Sequence, residues 1–511
     1  MAKSFPIFKP YNQHQIMMLP PSLDELISKD HPVRVVNDVI NTINIEPLIS
    51  AYKSTGCSSY HPQMLLKVLV YGYVSNVYSS RKLEISCKEN INFMWLSAMN
   101  YPDHNTINRF RGVRLKEALR EIFEQVVQLL AKEGLLSIED VYTDGTKIEA
   151  NANKYTFVWK KSIQTNKEKM KKQLAEIWDY AQNLADDEDR LPDPPDFTTI
   201  DSEKVKDTVD KLNKALSKKK DVPSKVKAKM RYVTKNFPEN IEKYERQEEI
   251  LGQRNSFSKT DNDATFMMMK EDHMKNGQLK PGYNIQISTS NQCIVNYTVH
   301  PNPTDTRTLE SHIIQHEKSY GISPKSITAD AGYGSEENYN ILEQKEIRSF
   351  VKYNMFDKQQ HQVARDKTPF SSDKLYYQKE SDSYICPIGQ QMKFIGEFKR
   401  KNSTGFEQTI KRYQAKNCKS CPLNGTCHKS QGNRTIEINE NLNRQRLKAF
   451  QLLNSEEGIE KRKKRCYDVE PVFGNIKNNH KFKRFMLRGK DKVEIEWGLL
   501  AIAQNIRKKA A

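Results

Sequence analysis

Three acidic residues stand out by their surroundings. Asp144 lies in Val141-Tyr-Thr-Asp144-Gly-Thr-Lys147-Ile148, Asp330 in Thr328-Ala-Asp330-Ala-Gly332-Tyr333, and Glu470 in Val469-Glu470-Pro471-Val-Phe-Gly474-Asn-Ile-Lys477. Taken singly, each has a plain reading: a turn residue, a strand cap, a surface helix residue. They are 186 and 140 positions apart (330 − 144 and 470 − 330), so only the fold can bring them together. Together they suit hard divalent ions, Mg2+ or Mn2+, which take carboxylate oxygens as ligands. Two such ions, held about 3.5–4 Å apart, activate an attacking oxygen and stabilise a leaving one in phosphodiester chemistry. Bound cations would also relieve the repulsion between acids and substrate phosphate.

A second constellation is sulfur. The chain has eight cysteines, and four of them cluster: Cys386, Cys418-Lys-Ser-Cys421, and Cys427 followed by His428. A C-x2-C spacing lets two thiolates grip one tetrahedral ion. Cys386, Cys418, Cys421 and Cys427 therefore predict a structural Zn2+ site, with His428 as the substitute ligand and free thiols as the alternative. The segment reads as loop-rich and short of an apolar core, so a metal would supply folding energy. Cys57, Cys87, Cys293 and Cys466 are scattered and read as reduced, buried small hydrophobes.

The elements that must position these groups are legible in part. Residues 1–135 read as helical: His61-Pro62 precedes the apolar run 64–74, Ser79-Ser80-Arg81 opens a helix, and Asp103 is an N-cap for 106–111. Leu115, Leu119, Ile122, Val126 and Leu130 recur at steps of three and four. After Gly134, residues 135–142 predict an apolar strand that delivers Asp144 onto a Gly turn. Met170, Leu174, Ile177 and Ala181, then Val205, Val209 and Leu212, predict a charged helical hairpin broken by Pro192, Pro194 and Pro195. Strands are expected at 283–288, 293–299, 326–329 and 349–353, and helices at 308–319, 336–345, 470–477 and 493–507. Asp305 reads as a capping residue of the helix that follows it. Asp261 and Asp263 read as a turn before Tyr283.

The formal charge of +18 and a pI near 9.2 argue for a polyanionic partner, nucleic acid before membrane. No apolar run is long enough to span a bilayer, and the N-terminus lacks the apolar stretch of a signal peptide, so a cytoplasmic, nucleoid-associated protein is expected. The Lys218–Lys220 run is a solvated face or a further DNA contact.

The three acidic segments resemble the motifs of DDE transposases from bacterial insertion sequences. In that family the second Asp precedes a Gly-Tyr pair, and a Lys follows the Glu by seven positions, as Lys477 follows Glu470. The likeness extends to His61-Pro62, Asn105-Thr-Ile-Asn-Arg109-Phe-Arg111, Thr260-Asp261-Asn-Asp263-Ala264, Tyr283-Asn284 and Arg484-Phe-Met-Leu-Arg488. Related transposases often carry an Arg four positions before the Glu and a Tyr seven before it. Cys466 and Lys463 stand at those places here, and Arg465 is one step out of phase.

The resemblance implies an α/β fold: a ribonuclease-H-like mixed-sheet catalytic core, an all-α N-terminal DNA-binding domain, a helical-hairpin insertion and a small Cys-rich insertion. The boundaries expected are 1–135 for the N-terminal domain, 136–157, 256–355 and 455–511 for the core, 158–255 for the charged helical insertion and 356–454 for the Cys-rich one. Asp144, Asp330 and Glu470 would hold two Mg2+ (or Mn2+), with Lys477 beside them on a shared helix face. Arg109, Arg111, Lys147, Lys477, Arg484 and Arg488 would contact DNA. The implied activity is metal-dependent cleavage at element ends and strand transfer into target DNA, by a homodimer on DNA. One alternative is a catalytically inactive, transposase-derived DNA-binding protein; it would lack an acid, and all three are present. Another is a stand-alone Mg2+-dependent nuclease without strand transfer.

Overall fold

The computed structural model describes residues 22–50, 52, 59–184, 195–197, 199–217, 222–269, 277–360, 369–402 and 404–511. Cys57, Pro192, Pro194 and the Lys218–Lys220 run lie outside them. The chain divides into two units, residues 1–126 with 502–511, and residues 127–501. The last ten residues thus group with the N-terminal helices, where a C-terminal part of the core was expected. Among the described residues no helix is long and apolar enough to cross a membrane.

The first unit is helical, and its helices begin where local chemistry lets them. His31 and His61 each cap a helix whose first residue is proline, Pro32–Thr42 and Pro62–Val74, by accepting a backbone N–H on Nδ1. Proline suits that place because its missing N–H would have had no partner there. Asp103 caps His104–Arg109, accepting from the Thr106 amide at 2.7 Å.

The second unit is built on a six-stranded mixed sheet. Its strands are β1 (Asp140–Glu149), β4 (Thr265–Met268), β5 (Leu279–Ser290), β6 (Cys293–His300), β7 (Ser326–Ala329) and β8 (Arg348–Val351). The short strands β2 (Phe157–Trp159) and β3 (Ser256–Ser258) pair separately. Across the sheet the order is β4-β5-β1-β7-β8, with β6 also on β5. β1, β7 and β8 run parallel, whereas β5 is antiparallel to β1, β4 and β6. The β5–β6 hairpin turns at Asn291 and Gln292, both with positive φ, which matches the twist of the strands.

Between β2 and β3 stand three helices, Lys160–Asn183, Ser202–Ser217 and Ser224–Leu251, where the sequence predicts a hairpin of two. The third contributes Met230, Val233, Phe237 and Ile241 to the same apolar core as Leu174, Ile177, Trp178 and Leu212. Its stripe is narrow, lies in a mostly charged segment and contains Pro238, so it reads weakly as a helix.

The segment after β8 is also more regular than its sequence suggests. Strands β9 (Tyr376–Gln378), β10 (Ser383–Ile385), β11 (Gln391–Lys401), β12 (Glu407–Gln414) and β13 (Thr435–Ile438) form an antiparallel sheet in the order β13-β12-β11-β10-β9. Met392, Tyr413, Ile436 and Ile438 give it a small core with Cys386 and Cys418. The expectation of a loop-rich, coreless insertion is corrected: alternation in short strands hides the buried face.

Candidate active site

Asp144 does not end a strand. β1 runs through it to Glu149, with Asp144 opposite Ile287 and Gly145 opposite Gln286. The expected Gly turn is replaced by a Gly within a strand, and packing explains it. A Cβ on Gly145 would stand 2.4 Å from Gln286 Nε2 and 2.5 Å from Asp305 Oδ1. A side chain here would push apart the hydrogen-bonded ends of Gln286 and Asp305, the kind of close approach that strand glycines often mark. Asp144 itself is buried, with 6% of its surface exposed.

Asp330 follows β7 directly, next to β1. It caps the short turn Ala331–Tyr333, its Oδ1 accepting the Gly332 amide at 2.8 Å. Tyr333 fills the interior and donates its hydroxyl to Gln286 Oε1. Burial raises the Tyr333 pKa well above its usual value, and the nearby charges of Asp305, Asp144 and Asp330 push the same way. The phenol therefore stays a donor. A Cβ on Gly334, the residue after the motif's Tyr333, would lie 2.2 Å from the Lys352 carbonyl oxygen, which leaves room for glycine alone.

Glu470 sits in the helix Glu456–Gly474, which lies over β1 and is pinned at several points. Lys461 Nζ is 2.8 Å from Asp140 Oδ1 at the start of β1. The buried Asp468 takes the Thr289 hydroxyl and the amides of Asn291 and Gln292, at 2.7, 2.8 and 3.1 Å. Pro471 neither starts this helix nor stops it. Proline cannot donate to the carbonyl four residues back. That carbonyl, of Tyr467, accepts Gln292 Nε2 at 2.8 Å instead.

Arg465, out of phase with the family pattern, turns out to be central. Its Nη2 is 3.3 Å from Asp144 Oδ2 and 4.0 Å from Asp330 Oδ2, and its Nη1 is 3.2 Å from Glu470 Oε1. The three acids therefore share one guanidinium, whose side chain is only 13% exposed. Five positions back along a helix puts Arg465 within reach of Glu470, and the helix's seat over β1 does the rest.

A fourth acid was missed as part of this neighbourhood. Asp305 is not a side-chain cap. Its Oδ1 accepts Asn284 Nδ2 at 2.7 Å and Gln286 Nε2 at 2.8 Å, and it is the Asp305 backbone carbonyl that accepts from Thr308. The one sequence signal was Asn284 and Gln286 at strand period two, two amides on one face needing an acceptor. Asp261 and Asp263, by contrast, are structural. Asp261 accepts the Tyr283 hydroxyl at 2.9 Å, and Asp263 accepts the Lys490 amide at 2.9 Å.

The basic residues divide. Arg109 is exposed and lines a cavity of about 260 Å3 with Tyr60, Thr106 and Arg114. Arg111 is buried and holds the Tyr78 carbonyl at 2.8 Å and Asn108 Oδ1 at 2.9 Å, so its expected DNA contact is replaced by an internal strut. Lys477 is buried too, donating to the Lys147 carbonyl at 3.1 Å. It lies in the π-helical turn Asn475–Asn479 beyond the end of the helix, so the expected shared α-helical face with Glu470 is not formed. Lys147 is half-buried. Arg484 donates to the carbonyls of Ala150 and Ala152, and Arg488 to that of Asn151, while keeping exposed surface.

Cys386, Cys418, Cys421, Cys427 and His428 line one hollow with about 20 Å3 of free space, enough for a single small guest. Arg434 enters it, its amide 3.3 Å from Cys418 Sγ and its Nη1 2.8 Å from Cys427 Sγ. Cys87 and Cys293 are buried as expected, but Cys466 is exposed. Among the described residues no three His, Cys, Asp or Glu side chains stand in a ready-made metal arrangement. At both candidate centres an arginine stands among the donors. Clustered carboxylates are the donor type that suits hard divalent ions and clustered sulfurs the type that suits zinc.

The family model described as Transposase DDE domain matches residues 385–510, and the one described as Transposase domain (DUF772) matches residues 21–112. The first spans the cysteine hollow, Arg465 and Glu470, the second the N-terminal helices with Arg109. Asp144 and Asp330 lie between the two matches. No curated protein and no solved structure matches the chain. The DDE description over the helix that carries Glu470, with a transposase domain at the other end, supports a DDE transposase of an insertion sequence family.

Proposed function

We propose that the protein cleaves DNA at the ends of its element and joins the freed ends to target DNA, with Asp144, Asp330 and Glu470 as the acidic triad. The observation that carries this reading is the Arg465 guanidinium in ion-pair range of all three. Acids from a strand, a strand end and a helix would repel one another without a shared cation, and their meeting has no packing benefit. Two Mg2+ (or Mn2+) held there would activate an attacking oxygen and stabilise a leaving one.

The rest is placement by the chain. Asp144 is held rigid in a central strand, and Asp330 is oriented by the Gly332 amide. Asp468 and Lys461 fix the helix that presents Glu470, which keeps 52% of its side chain exposed towards an incoming substrate. A ribonuclease-H-like core is the fold this reading requires. Its support is a sheet in which β6, β5 and β1 follow as an antiparallel meander, with β7 and β8 parallel to β1 on the other side. The N-terminal helices, with Arg109 exposed, would bind the element ends, and two copies would hold two ends together. The overall charge of +18 predicts binding that weakens steeply with salt. The sulfur hollow would hold one structural Zn2+.

The test is Asp330→Asn. Purified wild-type protein with Mg2+ should cut DNA carrying the element ends, and the variant should lose at least two orders of magnitude in rate while still binding that DNA. Cutting at the wild-type rate by the variant ends the proposal.

A further inference from the structure

Arg465 stands where a cation shared by the acids would have to stand. Its Nη2 is the common neighbour of Asp144 Oδ2 and Asp330 Oδ2, so those two oxygens are at most 7.3 Å apart, the sum of arms of 3.3 and 4.0 Å. A divalent ion coordinated by both would lie about 2.1 Å from each oxygen. The guanidinium and such an ion cannot share that space, and their like charges repel at this range. Beyond the three acids little holds the arginine there: among the described residues its hydrogen bond is to Glu470, and its buried Nε has no partner. Its side chain is also long enough to leave, standing five residues before Glu470 on the same helix and reaching towards the exposed Glu470 side chain.

We propose that Arg465 is a resident counter-ion of the acidic triad, a positioning residue that keeps the carboxylates together before metal arrives and is displaced when metal binds. The inference rests on the reading of the triad as a metal centre. It has a consequence opposite in sign to that of an ordinary supporting residue. A residue that only orients ligands weakens metal binding when it is removed. A residue that competes with the metal strengthens it.

The experiment is Mn2+ binding by the full-length protein without DNA, read by the loss of free-ion electron paramagnetic resonance signal. For Arg465→Gln the dissociation constant should fall about tenfold, the usual scale for losing one charge at such range. Arg465→Lys, which keeps the charge, should bind Mn2+ within about twofold of wild type. Weaker or unchanged binding by Arg465→Gln overturns the inference. Asp144→Asn and Asp330→Asn separate the two levels of the argument. If they bind Mn2+ like wild type, the metal-centre reading itself falls; if they lose it while Arg465→Gln gains nothing, only the counter-ion role falls. A second measurement needs no variant. Mn2+ should increase the reaction of Arg465 with phenylglyoxal in the wild-type protein, read on the peptide by mass spectrometry. Equal protection with and without Mn2+ overturns displacement.

Discussion

Asp468→Ala isolates the device that seats the Glu470 helix on the sheet. The carboxylate is 2% exposed and accepts three hydrogen bonds, from the Thr289 hydroxyl and the Asn291 and Gln292 amides. Bonds to a charged acceptor contribute about 1.5–3 kcal/mol each. Removal also relieves the desolvation of the buried carboxylate, and the two turn amides are partly accessible and can regain water. The net loss should therefore be ~2–4 kcal/mol, below the simple total. Thr289 is fully buried, and without Asp468 its hydroxyl keeps only the long contact to the Tyr142 carbonyl at 3.4 Å. Urea unfolding followed by circular dichroism should show a lower midpoint with an unchanged slope. A double-mutant cycle with Thr289→Val should give a coupling of about 1–2 kcal/mol. A loss under about 0.5 kcal/mol for Asp468→Ala, or strict additivity with Thr289→Val, would refute the claim that this carboxylate holds the helix down.

Three other outcomes are expected. Burial lowers the pKa of His300 and of His316 to about 4. Above about pH 6.5 both are neutral in folded and unfolded chains alike; between there and pH 4 only the unfolded chain gains the protons, so stability should fall by ~1.4 kcal/mol per pH unit for each histidine. Equal urea midpoints at pH 7 and pH 5 would contradict this. Protein purified without chelators should contain about one zinc per chain, and Cys418→Ser should release it and destabilise the β9–β13 sheet; zinc-free protein whose melting is indifferent to a strong chelator would dismiss the site. Gly334→Ala should cost ~3 kcal/mol or more, because the new methyl meets backbone at Lys352 and Tyr353 that cannot rotate away; a neutral effect on thermal melting would show that the close approach is relaxed.

Much of the local order was legible in the chain itself. Helix starts at Pro62 and after Asp103 and the strand 326–329 could be read because capping and periodicity are local properties, and motif order singled out Asp144, Asp330 and Glu470 as candidates. Pairing was not local, and neither was burial. Gly145 read as a turn because nothing near it in sequence reports that Gln286, on the neighbouring strand, and Asp305, in a distant turn, crowd its Cα. Arg111 and Lys477 read as surface cations, yet both are buried against backbone carbonyls supplied by distant segments. Arg465 fell outside the spacing pattern, but a long side chain on a helix can reach over a step of phase, and where that helix is seated is decided by Asp468, Lys461 and the β5–β6 turn. Residue types and their order thus pointed to one class of chemistry; only the tertiary structure decided which charges stand together, because electrostatic and steric partnership depends on distance in space rather than along the chain.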